Sequence, residues 1–181
     1  AKEDLVRSLC ETYSKVLGPG HLAAIDCRQQ LAAFLSSNGR GDEALQMKRA
    51  AYDLETRSLC WGSTYTASAA QDIGQTLFDS GKFTDAEPYW IQAVQMWRLQ
   101  LSAGDYWTTL SAQAMLGRDR LKLGRYADAY TDLKIAADGT WSYIHDIVRV
   151  PLDSPSPAIL PRTSATFTGQ IEAAWGWSHM P

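Results

Sequence analysis

The chain repeats itself, and a repeat period constrains architecture more tightly than any other sequence signal. Leu17, Leu59 and Leu101 stand 42 residues apart, and each is followed three places on by a glycine, Gly20, Gly62 or Gly104. A second marker runs in step: Gly39-Arg40 precedes Ala44, Gly81-Lys82 precedes Ala86, and Gly124-Arg125 precedes Ala129. Its last interval is 43, so one residue has been added between Gly104 and Leu116. Two independent markers on one period imply stacked units, each burying its apolar face against the next.

Within a unit the apolar residues return at three- and four-residue steps, the period of a helix. Residues 2–17 read as a leading helix carrying Leu5, Leu9, Tyr13, Val16 and Leu17, broken by Gly18-Pro19-Gly20. The first unit, about 21–59, has a helix from His21 to Ser37, a turn at Asn38-Gly39 and a second helix with Asp42 as its N-cap. The second unit, about 63–101, has a helix from Ser63 to Asp79 that closes at Ser80-Gly81. Its partner helix is expected to open on a capping box of Thr84 and Glu87, with Pro88 in the first turn. The third unit, about 106–138, breaks early at Gly139.

Beyond the repeats the chain changes character. Residues 151–161 hold four prolines among serines, which reads as an extended strap, and a weak helical stretch follows at 169–175. The expected division is a helical repeat domain over 1–150 and a strap and tail over 151–181. A solenoid's last helix leaves an apolar face in water unless something covers it. The tail, with Ile159, Leu160, Phe167, Ile171, Trp175 and Trp177, is expected to fold back and do so. The fold class is therefore all-α: a solenoid of about three helix-turn-helix units with a leading helix and an extended C-terminal tail.

Composition excludes several functions. An apolar fraction of 45% against 20% charged supports a core, and a net charge of −3 provides no basic field for nucleic acid. No run approaches the ~18 apolar residues of a membrane span, and the N-terminus has no signal-like apolar stretch. Cys10, Cys27 and Cys60 are odd in number and widely spaced, and read as buried thiols in a reducing compartment. That points to an intracellular address, cytoplasmic or organellar. His21, His145 and His179 lie far apart without a cysteine or carboxylate at metal-ligand spacing, and His21 suits a helix cap. Neither Gly39-Arg40-Gly41 nor Gly18-Pro19-Gly20 has the lysine of a phosphate loop, and Asp42-Glu43 suits a helix dipole rather than acid–base chemistry. The expectation is no enzyme, no cofactor and no metal.

Small residues recur where paired helices would touch: Leu31-Ala32, Ala44 and Ala51, then Ile73-Gly74, Ala86 and Ala93, then Leu116-Gly117, Ala129 and Ala136. A bulky side chain there would push the helices apart. This spacing, together with Leu17-Gly18-Pro19-Gly20-His21 and the turn from Gly81 to Tyr89, resembles the tetratricopeptide repeat in its 42-residue kinesin-light-chain form. The likeness covers about residues 1–138. By that resemblance the leading helix looks like the second helix of a unit whose first is absent.

The resemblance implies that the first helix of each unit lines a concave face that binds a peptide or partner. The residues it selects are Gln29 in unit one, Gln71, Gln75, Phe78 and Asp79 in unit two, and Arg118 and Lys122 in unit three. Amides can bond both N–H and C=O of an extended peptide, and Arg118 and Lys122, four apart, suit an acidic side chain. Trp90 and Trp97, seven apart, suit the core between units, whereas Trp61 and Trp107 suit packing or a partner contact. The implied function is a non-catalytic scaffold or adaptor for a peptide or partner subunit. The alternative is a structural accessory subunit of a large multi-protein assembly, an organellar one included; a helical accessory domain of an enzyme is a third.

Overall fold

The computed structural model describes residues 2–58, 63–100 and 106–142, together with Thr168, Gly169 and Ala173 of the tail. Among these residues there are seven helices and no strand: α1 (Lys2–Val16), α2 (Leu22–Ser37), α3 (Gly41–Ser58), α4 (Thr64–Asp79), α5 (Phe83–Leu99), α6 (Tyr106–Lys122) and α7 (Tyr126–Ser142). Each helix packs on the next in the chain, and the closest pairs are α2–α3, α4–α5 and α6–α7. This is the solenoid that the repeat period implies.

The Gly-basic marker is the hinge of each pair. Gly81 sits at a φ of 72°, a left-handed conformation that an L side chain resists. It lets the Lys82 N–H turn back to the Leu77 carbonyl (2.9 Å) while the Lys82 carbonyl accepts from the Ala86 N–H (3.0 Å). Arg40 does the same between Leu35 and Ala44, and Arg125 between Arg120 and Ala129. One residue thus ends the first helix and starts the second. The side chains of these hinges reach the preceding unit: Arg40 to Glu3 (2.7 Å), Lys82 to Asp42 (3.2 Å) and Arg125 to Glu87 (2.6 Å).

So tight a turn forces the helices together, and the small residues allow it. Ala32, Ala44, Ala86, Ala93 and Ala129 are fully buried. A Cβ on Gly74 would lie 2.9 Å from the Trp90 ring, and one on Gly117 would lie 2.7 Å from Leu133 Cγ. Trp90 and Trp97 fill the core around α4 and α5, as their spacing implied. Lys48, one repeat before Trp90, takes a different solution: its ammonium reaches Asp72 (2.9 Å) and Thr76 (2.9 Å) on α4.

Several local expectations are corrected. Asp42 is not an N-cap; α3 starts from the Arg40 carbonyl, and Asp42 lies in the first turn with Lys82 as its partner. Thr84 and Glu87 form no capping box, because Lys82 is the N-cap of α5 and the Glu87 carboxylate is taken by Arg120 and Arg125. Gly139 does not break α7. Its missing side chain admits Leu110, whose Cδ2 would be 2.5 Å from a Cβ there, and the helix runs on to Ser142. His21 does cap α2, its Nδ1 accepting from the Ala23 N–H at 3.2 Å. On α1, Leu5, Leu9 and Val16 face solvent, and it is Val6 and Cys10 that pack toward α2.

The cysteine reading is also overturned. Cys10 and Cys27 form a disulfide across the α1–α2 contact, with Cα atoms 5.4 Å apart. Seventeen residues separate them in sequence, and only the packing of α1 on α2 brings them together. Cys60, Trp61, Trp175, Trp177, His145, His179 and the proline-rich strap lie outside the described residues. Of the tail, Ala173 is fully buried in a cluster with Ala129 and Leu133, and a Cβ on Gly169 would lie 3.3 Å from Leu133 Cδ1. These tail residues pack onto the last helix pair.

Two variants check this account. Ala86→Leu should overpack the α4–α5 contact and lower stability by roughly 1–3 kcal/mol in urea melts; an unchanged midpoint would mean that the pairing is wrong. Reducing the Cys10–Cys27 bond should remove about 3 kcal/mol, the contribution of a cross-link closing so short a loop. Identical melts with and without reductant would show that the bond does not form.

Candidate interaction surface

The residues selected from sequence lie on α2, α4 and α6, the first helices of the three pairs. The structure brings two of them together across helices. The Arg118 guanidinium on α6 sits 5.5 Å from the centre of the Phe78 ring on α4, a cation over an aromatic face. Phe78 is held edge-on by Phe83 at 5.2 Å. Arg118 also donates to the Met115 sulfur (3.4 Å), and neither it nor Lys122 forms an ion pair among the described residues. Lys122 is exposed one turn further along α6. Gln75 donates to Asp79 (2.7 Å), its neighbour one turn on, so these two form a local polar pair on α4.

The other two amides turn inward. Gln71 Oε1 accepts from the Trp97 indole N–H at 3.0 Å, and Gln29 Nε2 donates to Glu55 Oε1 at 2.7 Å. Both bonds span 26 residues, and both partners of one stand a single repeat from those of the other. The amide keeps its place while its partner changes from an indole donor to a carboxylate acceptor.

Sequence pattern did not single out the acids behind this surface. Glu55 is fully buried, its Oε2 has no hydrogen-bond partner, and burial pushes its carboxyl up to about 7 against the pull of Gln29. Asp119 on α6 is likewise fully buried with both oxygens unpartnered, and burial with the nearby Glu87 charge raises it to about 7. Asp132 is buried but bonded, accepting from Gln113 (2.7 Å) and Arg120 (2.7 Å). Arg120 also holds Glu87 (2.8 Å), and Arg98 donates to Gln113 (2.8 Å), so one polar network ties α5, α6 and α7. The signal available was repeat misalignment: Glu55 stands where the next unit has Trp97.

In front of Glu55 a cleft of about 330 Å³ opens between α2, α3 and α4. Leu22, Ile25 and Tyr65 form its walls, with Asp26, Gln29 and Glu55 as its polar groups. Among the described residues no group of histidine, cysteine, aspartate and glutamate is placed to hold a metal, and no helix is long and apolar enough to cross a membrane.

Comparison with known proteins agrees with this geometry. Residues 66–99, which span α4 and α5, match the family model described as Tetratricopeptide repeat. The fold is similar to a Podosopora anserina protein of nearly identical TPR-like repeats, described as a kinesin light chain. Two of its structures give TM-scores of 0.72 and 0.70 at 15% identity, covering 97% of this chain and 82% of that one. BtubC (BKLC) from P. vanneervenii is similar at a TM-score of 0.66 and 16% identity, over 86% of this chain and 57% of that one. No curated protein sequence matches the chain. The fold is that of kinesin-light-chain-like tetratricopeptide repeats, an all-α solenoid.

The buried acids set a pH dependence. Between about pH 4 and pH 7, Glu55 and Asp119 hold protons when folded that they release when unfolded, because burial raises both above their ordinary values of 4.5 and 3.8. Stability present below about pH 4 is therefore lost as the pH rises through about 7, by up to roughly 3 kcal/mol for Glu55 and roughly 4 kcal/mol for Asp119. Urea melts at pH 5 and pH 8 should show the loss, and Glu55→Gln should stabilise more at pH 8 than at pH 5. A variant that shifts both midpoints equally would mean that Glu55 is ionised in the native protein.

Proposed function

We propose that the chain is a non-catalytic scaffold or adaptor that holds a peptide or partner subunit against the surface of α2, α4 and α6. The observation that carries this is the Phe78–Arg118 contact: a cation with no ion-pair partner among the described residues, stacked on an aromatic, with Lys122 exposed beside it. An aromatic platform and two cations suit a segment bearing a carboxylate. Gln75 and Asp79 offer bonds to its backbone, while Gln29 and Gln71 act from behind the surface. The division into a repeat domain over 1–150 and a strap and tail over 151–181 belongs to the same proposal. The packing of Gly169 and Ala173 on Leu133 supports a capping role for the tail.

The alternative of a fixed accessory subunit draws support from α1, whose Leu5 and Val16 are 71% and 74% exposed on a strip that includes Leu9. Such a strip suits a permanent neighbour in a larger assembly. The compartment belongs to the proposal as well. A disulfide rarely persists in the cytosol, so within an intracellular address the Cys10–Cys27 bond favours an oxidising organellar lumen.

Changing Arg118 and Lys122 together to glutamate tests the scaffold reading. The double variant should melt like the parent and bind acidic peptides from an array at least about tenfold more weakly, a loss of ~1.4 kcal/mol. Undiminished binding after that charge reversal would overturn the reading.

A further inference from the structure

We propose that the cleft between α2, α3 and α4 is a pocket for a lysine side chain presented by a bound polypeptide. It deepens the scaffold reading by naming one side chain of the partner, at a place separate from Arg118.

The repeat shows why the pocket exists. In unit two the Trp97 indole fills the space beside Gln71 and gives it a hydrogen bond. One repeat earlier the same position holds Glu55, a smaller side chain that leaves a cleft of about 330 Å³. A solenoid built only to stack would keep an uncharged group here, as the other two units do with Trp97 and Thr140. A fully buried carboxylate with one bare oxygen is instead among the most costly groups to leave unpaired.

The polar groups define the ligand. Gln29 spends an amide N–H on Glu55 Oε1, and both residues line the cleft, with the unpartnered Glu55 Oε2 shut off from water beneath its surface. Above about pH 7, where Glu55 is ionised, an acceptor without a matching donor suits a cation, and an anion would be repelled. With Glu55 Oε1 already accepting from Gln29 and the whole carboxylate buried, a planar guanidinium has little room to approach both oxygens side by side, the geometry that favours arginine elsewhere. A compact ammonium with three donors fits better. Leu22 and Ile25 offer apolar walls for a methylene stem, and the Tyr65 ring offers a face for the cation. Asp26, exposed at the cleft and already held by Gln30 (2.7 Å), adds a second negative charge where a lysine would enter. Bound there, the ammonium would give the buried carboxylate the partner that it lacks.

The probe is N-acetyl-lysine methylamide, titrated at pH 8, where Glu55 is ionised, into the full chain and followed by NMR. It should give saturable shifts confined to Gln29, Glu55 and Tyr65, with Nε-acetyl-lysine and norleucine analogues giving none and the arginine analogue binding more weakly. Glu55→Gln should weaken binding at least about tenfold. Asp26→Asn, an exposed change that keeps the acceptor for Gln30, should weaken it several-fold and guards against a folding defect in the first variant. The Arg118/Lys122 double variant should bind the probe as the parent does. Absence of saturable shifts, equal binding of the norleucine analogue, or undiminished binding in both acid variants would overturn the pocket. Any of these leaves the scaffold reading to the acidic-peptide test, which does not involve this cleft.

Discussion

One residue in each helix pair belongs to both helices, and the rest of the solenoid follows from that economy. The N–H of Arg40, Lys82 or Arg125 closes the first helix while its carbonyl opens the second. The crossing of the pair is then set within three residues of turn, with no loop to relax it. A left-handed residue must precede the hinge, and for a side chain other than glycine that conformation costs roughly 1–2 kcal/mol. Helices joined this tightly approach closely along their length. Ala32, Gly74 and Gly117 on one side, and Ala44, Ala86 and Ala129 on the other, are what that approach leaves room for.

The interfaces between pairs obey looser rules, and they differ from one another. At the α1–α2 boundary a disulfide, Cys10–Cys27, ties the leading helix to α2. At α3–α4 the half-buried Lys48 reaches Asp72 and Thr76. Between α5 and the last pair, Glu87, Arg98, Gln113, Arg120 and Asp132 share a network in which buried charges are bonded on several sides. Pairs of this kind add little net stability against an apolar isostere, but losing one member strands the others. They also have directions, which apolar contacts lack. Three similar pairs stacked by apolar contact alone would have few means of telling one neighbour from another.

What was legible in the sequence divides along the same line. Helix pairs, their turns and the small residues at their contacts repeat, so Gly81-Lys82 and Ala86 could be read three times over. Whatever is made once could not. Glu87 looked like a capping partner for Thr84 because the pattern is local, whereas its real partners lie 33 and 38 residues away on the next pair. Gly139 looked like a terminator because glycine is a poor helix former, yet its absent side chain makes room for Leu110 and packing overrides propensity. The apolar spacing of α1 was read correctly as a helix, but the strip it marks faces outward, since helical period says nothing about which face meets a neighbour. At the surface, Phe78 and Arg118 lie against one another, while Gln29 and Gln71 turn inward to partners 26 residues on that no spacing rule connects.

Departure from the repeat is therefore the more informative signal once the frame is known. At the repeat position of Trp97, unit one has Glu55 and unit three has Thr140, and all three are buried. Packing explains the tryptophan, and the threonine is small enough to be accommodated. Packing does not explain a glutamate whose second oxygen meets no donor. Its burial lowers stability at neutral pH, so the native chain is less stable there than it would be with a neutral residue of the same shape. A group that costs stability in a fold otherwise consistent at every level marks a place where the molecule serves something besides folding. By the same reasoning Asp119, equally buried and with both oxygens bare, is the next position to examine, although no cleft among those described opens onto it.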